Sequence, residues 1–197
     1  IDFRNLQQSP DLKLAKLIII ASIPVMIMGL IVSLISDNLM RSVEIIGWAT
    51  LVFGILLGIS DKIALSVSDL RHMGIGDAVL IGISQMFALI PGSSRAGLTI
   101  TMARFLGYDR KTAARFSLLL AIPAILGAST LKGIEVVEAN NLVLGIDALI
   151  AGSVSFLAAL ASISIMMAWL DRSGFMPFVI YRIILGAALL TWVYALS

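Results

Sequence analysis

Residues 148–170 read ALIAGSVSFLAALASISIMMAWL, 23 consecutive residues without a charge. An α-helix rises about 1.5 Å per residue, and the hydrocarbon core of a bilayer is about 30 Å thick. A run of this length therefore reads as one membrane-spanning helix. A second run, Leu17 to Ile35, adds 19 uncharged residues. Two such runs in a chain of 197 residues are hard to explain as soluble core helices. Composition agrees, since 13% of the residues are charged against roughly 25% in a soluble domain. The fold class implied is all-α, a polytopic transmembrane helix bundle, with residues 1–197 forming a single membrane domain.

Other function classes fall away on residue counts. The chain has no cysteine, which excludes disulfides, thiolate metal sites and cysteine catalysis. Its one histidine, His72, excludes a multi-histidine metal centre. The 14 basic residues form no block, so nucleic acid is not a partner. Ile1 to Ser9 is polar and mixed, unlike a signal peptide. That start reads as an internal point of a longer protein.

Outward from the long run, span one covers Leu14 to Ile35 with Pro24 inside it, and Asp37-Asn38 turns the chain. Span two covers Val43 to Ser60. Its Gly47, Gly54 and Gly58 fall on one face suited to close helix contact. Asp61 to Gly76 is a charged connection. Asp77 is expected to cap a helix that runs to Ile90, too short to cross. Pro91-Gly92 breaks the pattern, and a second short helix runs to Leu106 with Gly107 as its C-cap. Two short apolar helices about a Pro-Gly break predict a re-entrant hairpin, tolerated at membrane depth only where protein or a cavity satisfies the backbone. Asp109 caps a helix from Arg110 to Thr130, Lys132 to Asn141 is a polar loop, and Asp171-Arg172 marks an interface. The last span is Pro177 to Ala195, with Trp192 and Tyr194 placed for an interfacial belt. The small residues between 152 and 162 predict tight packing inside the bundle.

The chemistry is concentrated at Gln85-Met-Phe-Ala-Leu-Ile-Pro91-Gly92-Ser93-Ser94-Arg95-Ala96-Gly97-Leu98-Thr99. The first amides of a helix lack intrahelical partners and carry partial positive charge, which suits an anion. Arg95 adds a planar fork that matches phosphate oxygens. Ser94 and Thr99 add hydroxyls, with Thr99 four residues from Arg95 and so facing the same way. Gly92 and Gly97 let a bulky ligand approach the backbone, and Ser93 lies beside them. Arg95 follows 17 uncharged residues, and a charge there is costly unless used. The alternative is an arginine that snorkels to an interface above serines that merely cap a helix.

This pattern, Gln85, Ala88, Pro91-Gly92, Ser94-Arg95, Gly97 and Thr99, resembles a signature of the undecaprenyl-diphosphatase, or bacitracin-resistance, family. Ala113-Ala114-Arg115-Phe116-Ser117 through Ile122-Pro123 is similar to a second family stretch, and Phe175 through Tyr181-Arg182 to a third. The likeness covers nearly the whole chain, placed here as the C-terminal two-thirds of such a protein. It implies removal of the terminal phosphate from undecaprenyl diphosphate, for recycling of the cell-wall lipid carrier. It implies a polyprenyl diphosphate and membrane lipid as partners, with a homodimer open, in the bacterial inner membrane. It also implies a divalent metal, Mg or Ca, whose ligands lie in an acidic motif upstream of Ile1. Without that motif these residues alone are not expected to turn over diphosphate efficiently. Ala96 departs from the family, which commonly has serine there, and Ser93 is the candidate to compensate. The implied roles are Ser94, Arg95 and Thr99 in catalysis, with Gly92, Ser93, Arg95, Gly97 and Gln85 at the phosphate. A lipid or small-anion transporter or flippase is the competing reading, because broken helices also serve transporters. A membrane subunit that uses Arg95 only for assembly is a third.

Five other residues carry expectations. Arg182 lies one turn into the last span and either lines the site or pairs structurally. Arg104 lies about half a turn of azimuth from Arg95 and is expected to face away, at an interface. Arg115 could pair with an acid or reach a headgroup. Gln85 is expected to hydrogen-bond the broken backbone. Asp147 reads as a boundary charge. Basic residues place the start of span one (Arg4, Lys13, Lys16) and the loop after span two (Lys62, Arg71) on the cytoplasmic side.

Overall fold

The computed structural model describes residues 10–35, 42–64, 68–138, 142–170 and 172–196. Seven α-helices occur among them: α1 Pro10–Ile35, α2 Val43–Ile63, α3 Ile75–Met86, α4 Arg95–Phe105, α5 Arg110–Glu138, α6 Leu142–Leu170 and α7 Met176–Leu196. Five of these (α1, α2, α5, α6 and α7) are long and apolar enough to cross a membrane, while α3 is shorter. No strand forms among the described residues beyond one isolated bridge between Ser68 and Tyr108. The turn expected at Asp37-Asn38 and the boundary residue Asp171 lie outside the described residues, as does Arg4.

The central contact is α2 against α7, antiparallel. A Cβ added at Gly58, Gly54 or Gly47 would meet Val179, Arg182 or Leu190 at 3.0, 2.9 and 2.9 Å. The glycine face read from spacing is therefore the seam that lets these two helices touch. Gly82 of α3 packs in the same way against the backbone of Ala21 in α1.

One end of the bundle is tied by a buried carboxylate. Asp61, near the end of α2, accepts from Arg110 Nε at 2.7 Å and Nη2 at 3.1 Å, and from the Phe175 amide at 3.2 Å. Arg104 Nε stands 3.4 Å from the same carboxylate. The ends of α2 and α4 and the starts of α5 and α7 thus meet in one place. Gly107, at φ 89°, closes α4, and Asp109 caps α5 through the Thr112 amide at 3.0 Å, both as read from sequence.

Four expectations change. Asp77 is not the cap of α3. The helix begins a turn earlier, and the Asp77 carboxylate accepts from the Gly74 amide at 3.1 Å and the Tyr108 hydroxyl at 2.6 Å. An acidic group in the third helical position can reach back to the capping amide as well as a true cap can. The polar stretch from Lys132 is helical as far as Glu138, because its lysine and glutamates are good helix formers. The small-residue span α6 is not packed inside the bundle, and the stretch Ile146–Leu170 is almost wholly exposed. Small residues permit a close contact but do not supply the partner helix. Arg104, expected at an interface, is 1% exposed. It donates to the Tyr108 carbonyl at 2.7 Å and the Asp61 carbonyl at 3.2 Å. The helical azimuth was sound, but that face looks into the Asp61 junction.

Candidate functional site

α3 ends at Met86, a single 3-10 turn covers Phe87–Leu89, and α4 starts at Arg95. The break is therefore where Pro91 and Gly92 place it. Gly92 takes φ 88°, and Ser94 takes φ 63°, the one non-glycine residue with positive φ among those described. A serine tolerates this because its side chain caps the next helix, accepting from the Gly97 amide at 3.2 Å. The amides of Arg95 and Ala96 are left without a partner among the described residues.

The break is held from behind by Arg182 of α7. Its Nη2 donates to the carbonyls of Ser93 at 2.9 Å, Gly92 at 3.0 Å and Thr50 at 3.3 Å. The Thr50 hydroxyl donates to Gly92 O at 3.1 Å. Of the two roles open to Arg182, the structure gives structural pairing with the site's own backbone. Proline and glycine leave carbonyls with no helical donor, and one guanidinium satisfies them.

The hydroxyls divide differently from expectation. Ser93 is 1% exposed and donates to Ile90 O at 2.7 Å, so it does not stand in for the serine that Ala96 lacks. Thr99 does not face outward with Arg95. It is 1% exposed and lies 2.6 Å from the Ser117 hydroxyl, tying α4 to α5. Ser94 and Ala96 are exposed at the start of α4. A side chain at Ala96 therefore faces open space.

Two side chains near the break are buried in part or whole without partners. Arg95 is half-buried, and its Nε and Nη2 have none among the described residues. Gln85, in the last turn of α3, is 0% exposed, and neither amide atom is bonded. It does not bond the broken backbone, because Arg182 and Thr50 already do. Unsatisfied polar groups at such burial are rare and costly. The Arg95 nitrogens and the amides of Arg95 and Ala96 are donors awaiting an acceptor, which is the chemistry of an anion site, while Gln85 offers one donor, Nε2, and one acceptor, Oε1. Beside the break lies an open apolar groove of about 500 Å³, lined by Trp48, Val52, Phe53 and Ile90, with Glu44 at its rim.

No group of three or more His, Asp or Glu among the described residues could hold a metal ion. The described residues by themselves do not fit a divalent cation.

Comparison with known proteins bears on the chain as a whole. Residues 2–188 match the family described as "Bacitracin resistance protein BacA". The chain is similar to an "Undecaprenyl-diphosphatase 1" of Rhodospirillum rubrum, 44% identical over 95% of this chain and 67% of that one. It is similar also to an "Undecaprenyl-diphosphatase" of Jannaschia sp., 46% identical over 95% of this chain and 70% of the relative. A third, from Roseobacter denitrificans, is 42% identical over 92% and 68%. The chain spans about two-thirds of these relatives' lengths, and the matches do not bear out its placement at their C-terminal end. With a family match across almost its whole length, the chain belongs to the BacA family of bacitracin resistance proteins.

Proposed function

We propose that the protein is a membrane-embedded phosphatase that hydrolyses undecaprenyl diphosphate to undecaprenyl phosphate and inorganic phosphate in the bacterial cytoplasmic membrane. The observation that carries this is the unpartnered Arg95 guanidinium at the start of α4, beside an apolar groove. A diphosphate supplies the acceptors that Arg95 and Gln85 lack, and the groove has room for the first isoprene units of a polyprenyl tail. The names of the similar proteins support the same substrate.

In the reaction a water oxygen bonds to the terminal phosphorus and the anhydride P–O bond breaks. The bridging oxygen leaves with the lipid monophosphate. Arg95 and the free amides of α4 hold the non-bridging oxygens and offset charge as it grows on them. Arg182 keeps the break in shape without touching substrate. A divalent metal, implied by the family resemblance, would take its ligands from outside the described residues.

The test is release of inorganic phosphate from a polyprenyl diphosphate by the purified full-length protein, acidic motif included, in detergent. Arg95→Lys is the decisive variant, because lysine keeps the charge and loses the fork. Turnover that Arg95→Lys and Arg95→Ala both leave unchanged would overturn the assignment.

A further inference from the structure

At the end of the molecule carrying the Asp61 junction, a cleft of about 380 Å³ lies between the first turns of α1, the Leu70–His72 turn and α5. Three cations line it, Lys13, Arg71 and Arg115, with Asp11 as its single carboxylate, so its formal charge is +2. Leu14, Leu17 and Leu70 form an apolar wall. Lys13 Nζ donates to the Arg71 carbonyl at 2.9 Å, which ties α1 to the turn and holds the sides of the cleft together. The guanidinium groups of Arg71 and Arg115 have no carboxylate partner among the described residues. The cleft is separate from the break, because α3 alone carries the chain about 18 Å between them.

Scattered basic residues near span ends are ordinary in membrane proteins. Here three of them, from three different elements, line one concave site above a leucine wall. We propose that this cleft binds the headgroup of an anionic membrane phospholipid. The phosphodiester sits between Arg71 and Arg115, whose forks match its oxygens, and an acyl chain descends along Leu14 and Leu17 of α1. The binding is independent of the hydrolytic reading, and hydrolysis at the break does not depend on these residues.

The experiment counts lipids retained by the delipidated protein after exposure to nanodiscs of equal phosphatidylglycerol and phosphatidylcholine, using native mass spectrometry. The protein should retain phosphatidylglycerol over phosphatidylcholine. Arg71→Gln with Arg115→Gln should lower that retention about tenfold or more, since each basic residue near a membrane surface contributes a several-fold factor. Arg71→Lys with Arg115→Lys should fall between the two, keeping the share that charge contributes and losing the share of the forks. Lys62→Gln, at the same end of the molecule but outside the cleft, should match the unaltered protein. Inorganic phosphate should not displace the lipid, because it makes no contact with the leucines. The proposal is overturned if the glutamine variants, with unchanged thermal stability, retain phosphatidylglycerol as the unaltered protein does. It is overturned equally if Lys62→Gln costs as much as Arg115→Gln alone, which marks diffuse charge, or if phosphate competes, which marks a site for the free ion. Should the double variant not fold, Arg115→Gln alone is read in the same way.

Discussion

Arg95 and Arg182 sit on the two sides of one break and do opposite work. Arg95 presents unpartnered nitrogens to a ligand, whereas Arg182 spends one nitrogen on three carbonyls of the protein. Arg95→Ala and Arg95→Lys should each lower phosphate release by about 10²–10³-fold, the usual loss on removing a donor aimed at developing charge. Both should unfold at the temperature of the unaltered protein, because Arg95 holds nothing else in place. Arg182→Gln should lower both stability and turnover, leaving buried carbonyls unsatisfied at about 1–3 kcal/mol each. Thermal unfolding beside the rate separates the two cases, and a normal melting temperature for Arg182→Gln would show that the clasp is not structural. Arg95 was legible in the sequence because a lone charge after a long apolar run has to be explained. The fates of Thr99 and Arg104 were not. Helical spacing gives the side of a helix, and only the packed neighbours, Ser117 and Asp61, say what that side faces.

At the scale of elements, sequence spacing predicted the α2 glycine face, the Pro-Gly break, Gly107 and the Asp109 cap. Each rests on local backbone chemistry, which sequence reports directly. The start of α3 was missed by a turn, because Asp77 is a capping residue in composition and a third-position residue in fact. Gly54 yields a sharper prediction. A Cβ there would come within 2.9 Å of Arg182 Cβ, so Gly54→Leu must push α7 away from α2 and drag the guanidinium off the break. Activity should fall with stability in that variant, while Gly152→Leu on exposed α6, where a Cβ meets nothing within 4 Å, should change neither. Equal losses from both substitutions would contradict the seam.

Across the whole molecule, the Asp61 junction ties distant segments, joining residues 49 and 114 positions away in the chain. Asp61→Asn should destabilise the protein by about 3–5 kcal/mol, the usual consequence of stranding a buried charge partner. Denaturation in detergent measures it, and a loss under about 1 kcal/mol, as for an exposed pair, would demote the junction to surface decoration. This tie was invisible in sequence, since nothing in the spacing of Asp61, Arg104 and Arg110 announces that they converge. The same junction fixes the direction of the hairpin. α3 departs from this end and α4 returns to it, so the break between them points at the opposite end, where Gly92 meets Thr50, about 10 Å below the start of α2. The hairpin thus enters and leaves at one end of the molecule, with its break turned toward the other. A chain without native thiols lets that polarity be read directly. A membrane-impermeant maleimide should modify Ser94→Cys in sealed vesicles from the face away from Lys62 and Arg71 alone, and a phosphate freed at the break should exit vectorially into that same compartment.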